Sequence, residues 1–156
     1  MFRVLLVLAL SLGLVACDSG SGEDGPTDAS CATTGTQDLG TVTATTPSGS
    51  FRSSCAAATS STGDLVVIVR TPGNESALGG ESLEFVLQDL RVGTYTLGED
   101  DDDFSTASYG RTPLAMSEAA SGTVVVTSLS GGIEATFSFT TVTGQEVTDG
   151  RLDLSF

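Results

Sequence analysis

The chain contains no histidine, no lysine and no tryptophan. Without histidine there is no Ser-His-Asp or Cys-His arrangement, and without lysine there is no Ser-Lys dyad and no Schiff base. Positive charge is scarce: six arginines stand against twenty carboxylates in 156 residues, a net charge of −14. That balance repels nucleic-acid phosphates instead of neutralising them, so nucleic acid is excluded as a partner. It also disfavours adhesion to anionic lipid headgroups. Helical periodicity is missing too. No window sustains the apolar repeat of about 3.6 residues, and Glu118-Ala119-Ala120 would start a helical turn at most. A glycine-rich phosphate loop is absent, since Gly131-Gly132 lacks the lysine and the following helix such a loop needs.

What is present begins at the N-terminus. Arg3 is followed by an apolar run from Val4 to Leu14, broken only by Ser11 and Gly13, and then by Val15-Ala16-Cys17. A basic start, a short apolar stretch and small residues are the parts of a secretory signal. Leu14-Val15-Ala16-Cys17 resembles the lipobox of bacterial lipoproteins. The resemblance implies that Cys17 carries a diacylglycerol on sulfur, that residues 1–16 are removed, and that acyl chains hold the protein to a bacterial membrane. The alternatives are an ordinary signal that ends at a cysteine, or an N-terminal membrane anchor. The apolar run falls short of the ~20 residues that span a bilayer comfortably.

Removing residues 1–16 leaves 140 residues, enough for one domain, and takes away Arg3 but no carboxylate, so the charge becomes −15. An acidic, lysine-free chain fits adaptation to high salt, where ions screen the repulsion of hydrated carboxylates. A GC-rich genome that disfavours lysine codons is the alternative. Residues 18–30 hold no large apolar side chain and read as a flexible acidic Gly/Ser tether spanning roughly 20 Å. Asp18 resembles an inner-membrane retention signal of enteric bacteria, whereas the Ser/Asp/Glu cluster resembles a surface-export signal of Bacteroidota lipoproteins. The expected compartment is the cell envelope outside the cytoplasm, with the outer membrane or cell surface preferred.

The whole chain is 39% hydrophobic, and the remainder, residues 31–156, is well patterned, which argues for a folded domain. Leu83, Phe85 and Leu87 alternate with polar or smaller neighbours, as do Ile133, Ala135, Phe137 and Phe139, and Leu152, Leu154 and Phe156. Period two with one apolar face is the mark of half-buried antiparallel strands. Leu65–Val69 and Val124–Val126 are apolar on both faces and predict strands between layers or under a covering loop. Turn residues punctuate these runs at Pro47-Ser48-Gly49, Thr62-Gly63-Asp64, Pro72-Gly73-Asn74, Gly131-Gly132 and Gly144-Gln145. The expectation is an all-β domain of about eight or nine short strands, either an antiparallel β-sandwich or a flattened β-barrel.

The C-terminal half carries a run of motifs in order: Gly93-Thr94-Tyr95-Thr96-Leu97-Gly98, Ala107-Ser108-Tyr109, Gly122-Thr123-Val124-Val125-Val126-Thr127, Ala135-Thr136-Phe137-Ser138-Phe139, and Val147-Thr148-Asp149-Gly150-Arg151-Leu152-Asp153-Leu154. Over about residues 64–156 this resembles a family of secreted Bacteroidota-type lipoproteins of unknown function, with its GtYxLG, AxY, GxvxvT, sGtFsF and vtdGxFdvxY pattern. Ala135, Leu152 and Phe156 depart from that pattern while keeping apolar character. The resemblance implies an all-β extracytoplasmic domain behind a lipid anchor and transfers no catalytic residue.

Candidate sites are few. Cys31 and Cys55 read as a disulfide in an oxidising compartment, with buried free thiols or a metal site as rivals. Metal binding there lacks a third cysteine and any histidine. The run Glu99-Asp100-Asp101-Asp102-Asp103 is a weak calcium candidate, because adjacent carboxylates on an extended chain point apart; a solvated loop is the plainer reading. Asp149 with Asp153, or Glu81 with Glu84, would be the carboxylate pairs of a hydrolase. Asn74-Glu75-Ser76 matches a glycosylation sequon by coincidence. Phe137 and Phe139 read as a core ladder, and Gly150 inside a strand-like run predicts a bulge or a close backbone approach. No cofactor is expected. The expected role is a non-catalytic accessory or binding module that contacts an envelope protein or glycan. The rival is a passive structural lipoprotein. Tyr95, Tyr109 and Phe104 together on the surface would favour the first, and their burial the second.

Overall fold

A computed structural model describes residue 31 and residues 35–71, 80–98, 105–111 and 116–156. Cys17, the tether, Asn74, the acidic run 99–103 and Phe104 lie outside the described residues. Nine strands account for most of the rest: β1 (Gln37–Thr46), β2 (Gly49–Ser61), β3 (Asp64–Arg70), β4 (Ser82–Leu87), β5 (Gly93–Leu97), β6 (Thr106–Gly110), β7 (Ser117–Ser128), β8 (Gly132–Thr141) and β9 (Glu146–Ser155). Of the two architectures left open by the sequence, the barrel is found. The order β7-β6-β4-β3-β2-β1-β9-β8 closes through pairing of β7 with β8, giving eight antiparallel strands with β5 added to β7. Closure removes most of the unpaired strand edges that an open sheet exposes.

One flank of β7 is shared. Ser117 and Glu118 pair with β6, while Gly122–Val126 pair with β5, so two short strands together cover one long one. Glu118-Ala119-Ala120 is therefore strand rather than a helical turn. Ala119 pairs with Thr141 of β8 and is buried, and ladder pairing overrides the weak helical preference of two alanines.

Alternation along each strand fills the interior. Val42, Phe51, Leu65, Val67, Leu83, Phe85, Val124, Ile133, Leu152 and Leu154 are all buried. At the centre Phe85 packs edge-on against Phe137 and Phe139, with ring centroids 4.7 and 6.4 Å away. Such edge-to-face contacts add about 0.5–1.5 kcal/mol per pair beyond burial. Leu65–Val69 resolves into an inner set, Leu65, Val67 and Val69, and a half-buried outer pair, Val66 and Ile68. Val66 lies opposite Val86, and Ile68 opposite Ala57, so apolar neighbours shield the outer pair across the ladder. Phe156 breaks the alternation of its strand: it follows the last residue of β9 and is exposed.

Turns follow the glycine signals. Thr62 (φ 55°) and Gly63 (φ 99°) make the two-residue connection between β2 and β3, where positive φ at both positions matches the twist of the strands. Because neighbouring strands alternate in direction, the β2–β3 and β7–β8 turns share one end of the barrel with the start of β1. The β1–β2 and β8–β9 turns and residue Glu81 lie at the other. Cys31 is joined by a disulfide to Cys55, which pairs with Asp38 near the start of β1.

Candidate functional site

Two polar arrangements stand out, one on the far rim and one on the outer wall. The rim arrangement is a chain of hydrogen bonds. Arg111 donates through Nε and Nη2 to Ser48 Oγ at 3.0 and 2.6 Å, and Ser48 Oγ lies 3.2 Å from Tyr109 OH. Tyr109 OH and Thr46 Oγ1 both donate to Glu81 Oε1, at 2.5 and 3.0 Å. The bonds tie the β1–β2 turn to the segment that leads into β4 and to the end of β6. Tyr109 is 1% exposed, so its hydroxyl is the part of the network that needs a partner most. Nothing in the sequence pattern joins these five residues, because the contacts span up to 63 positions.

Tyr95 has a similar structural duty. Its hydroxyl accepts from the backbone N–H of Arg91 at 2.6 Å and donates to Arg91 O at 2.9 Å, pinning the β4–β5 connection. Tyr95 and Tyr109 are thus both buried and do not form a surface platform.

The outer arrangement is a furrow of about 650 Å³ crossing β7, β8 and β9, lined by Thr123, Val125, Thr136, Ser138, Asp149 and Arg151 among others. A bulge lies within it. Gly150 pairs with Phe137 and Val147 with Phe139, so β9 carries one residue more than β8 over this stretch. The same extra residue appears against β1, where Thr43 meets Arg151 and Thr45 meets Thr148. Asp149 takes the left-handed conformation there (φ 52°), which aspartate tolerates better than most side chains. Gly150 lies on the inner face, where the ring of Phe137 occupies the place of a side chain. A second furrow of about 460 Å³, lined by Thr45, Thr46, Gln145 and Glu146, adjoins the first at Thr148.

The structure sorts the sequence candidates as follows. Asp149 and Asp153 are both exposed on β9, and Asp149 lines the furrow. Glu81 belongs to the rim network, whereas Glu84 pairs across from Ser108 on the outer side of β4. Among the described residues no group of three or more His, Cys, Asp or Glu is placed to hold a metal ion. Arg151 was legible only as a polar residue in an alternating strand, and its place in a furrow comes from the neighbouring strands β7 and β8. Among the described residues the one ion pair is the exposed contact between Arg91 and Asp89, so no carboxylate described lies within 4 Å of the Arg151 guanidinium.

Comparison with known families matches residues 32–152 to a family described as "Domain of unknown function (DUF6252)". No curated protein matches the chain, and no solved structure does.

Proposed function

We propose, from the premise that the chain belongs to the DUF6252 family, that it is a lipid-anchored lipoprotein of the bacterial cell envelope. Its barrel acts there as a non-catalytic accessory or binding module. The observation that carries this reading is Leu14-Val15-Ala16-Cys17 after a short apolar run, followed by a tether without large apolar residues and then a β domain. The Cys31–Cys55 disulfide supports an oxidising compartment outside the cytoplasm. The ordered motifs from Gly93 to Leu154 support membership among secreted Bacteroidota-type lipoproteins. In this reading the tether enters the domain at Cys31, whose partner Cys55 pairs with Asp38 near the start of β1.

A passive structural lipoprotein is the second reading; Tyr95 and Tyr109 are buried as it expects, and Phe104, the third residue of that test, lies outside the described residues. The test is co-purification from envelope fractions of the native chain beside Cys17→Ser. The proposal expects the native chain in the membrane fraction with a specific partner, and the variant in the soluble fraction. Equal partitioning of both forms contradicts anchoring; anchoring without any partner selects the passive reading.

A further inference from the structure

We propose that the outer furrow over β7, β8 and β9, continued past Thr148 to the β1–β2 turn, binds a neutral glycan chain. This deepens the binding-module reading and rests on it. Several observations select the ligand. The furrow crosses strands whose edges are already paired, β7 with β8, β8 with β9 and β9 with β1, so no free backbone edge remains for an extended peptide to join. Its lining offers hydroxyls from Thr123, Thr136 and Ser138, an acceptor at Asp149 and a donor fork at Arg151, around the half-buried apolar surface of Val125. Sugar rings present the matching set, with hydroxyls at the edge that donate and accept and C–H groups on the face.

Charge narrows the class further. A chain of −15 after signal removal repels uronate, sulfate or phosphate polymers, and Asp149 stands inside the furrow itself. Arg151 has no carboxylate of the described residues within 4 Å, so its guanidinium is available to a ligand. Size points to a chain rather than a single sugar. From β7 to β1 the two adjoining furrows span three interstrand spacings, about 14 Å, enough for several consecutive rings. The furrow also contains the bulge of β9. One extra residue in β9 leaves Asp149 in the left-handed conformation beside Arg151 within the furrow, and bulges recur beside functional sites.

The experiment is a nitrogen-15 chemical-shift titration of the full mature chain with maltohexaose, cellohexaose and chitohexaose. Hexagalacturonate and a Gly-Ser peptide are the comparison ligands. The expected result is saturable binding of at least one neutral oligosaccharide, with shifts centred on Thr136, Asp149 and Arg151, and none with hexagalacturonate. Arg151→Met, which keeps the aliphatic stem, is expected to weaken binding by about tenfold or more, the loss of one charge-assisted hydrogen bond. Asp149→Asn retains a residue that tolerates the left-handed conformation and is expected to weaken binding while leaving the melting temperature near that of the parent. Absence of binding by all three neutral oligosaccharides up to about 10 mM overturns the proposal. So does a preference for hexagalacturonate or the peptide, or an affinity indifferent to both variants. Membrane fractionation is scored separately, so an anchored chain that binds none of the oligosaccharides loses this site and keeps its envelope assignment.

Discussion

Gly150 and Phe137 show how much one pair of residues decides. A methyl group built on Gly150 would sit 2.3 Å from Phe137 Cδ2, so the buried ring would have to shift. Gly150→Ala is therefore expected to destabilise the domain by about 1–3 kcal/mol in urea unfolding, with partial recovery when combined with Phe137→Leu. An unchanged midpoint for the single variant would contradict the packing described. Tyr109→Phe tests the rim: loss of its bond to Glu81 leaves that carboxylate short of a donor and should cost about 1–3 kcal/mol. The first of these features was legible, because a glycine in a strand-like run points to a bulge or a close approach. The bulge occurs, with the extra residue at Asp149, whereas what comes close to Gly150 is the ring of Phe137 and not another backbone. The second was not. β6 holds only Thr106–Gly110, too short an alternation to show that Tyr109 faces inward.

At the level of elements, period-two runs were the reliable signal. β4, β8 and β9 bury the residues their alternation assigns to the core, with Phe156 outside only because pairing stops at Ser155. β2 gave little warning, since its middle is serine and alanine, and what organises it is pairing with β1 and β3 together with the bond from Cys55 to Cys31. That bond closes a separation of 24 residues. Cys31→Ser combined with Cys55→Ser should lower stability by about 3 kcal/mol in the chain-entropy account, read from the urea midpoint against the parent. A shift well under 1 kcal/mol would mean that the first segment adds no constraint to the unfolded chain. The start of β7 misled in the opposite direction. Two alanines after a glutamate suggest a helical turn locally, and pairing with β6 and β8 makes the segment strand.

For the whole molecule, closure is what no local pattern reveals. A sandwich and a barrel bury the same alternate positions, and the ring is completed by the pairing of the first strand, β1, with the last, β9, whereas the β7–β8 hairpin was signalled locally by Gly131-Gly132. The furrow inherits that dependence, since Thr123, Ser138 and Asp149 come from three strands brought together by the ladder order. Charge acts at this scale as well. Sixteen of the twenty carboxylates belong to residues 31–156 and repel one another, and the melting temperature should rise from dilute to molar sodium chloride as screening shortens the Debye length from tens of ångströms to about 3 Å. A melting temperature unmoved across that range would contradict adaptation to high salt and leave codon usage as the reason for the missing lysine.

The account of where this barrel works depends on one covalent event at Cys17. The direct measurement is the intact and peptide mass of the protein isolated from its native envelope. The predicted result is a chain that starts at Cys17 and carries diacylglycerol on the sulfur. A chain that retains residues 1–16, or that presents Cys17 as an unmodified thiol, would contradict it.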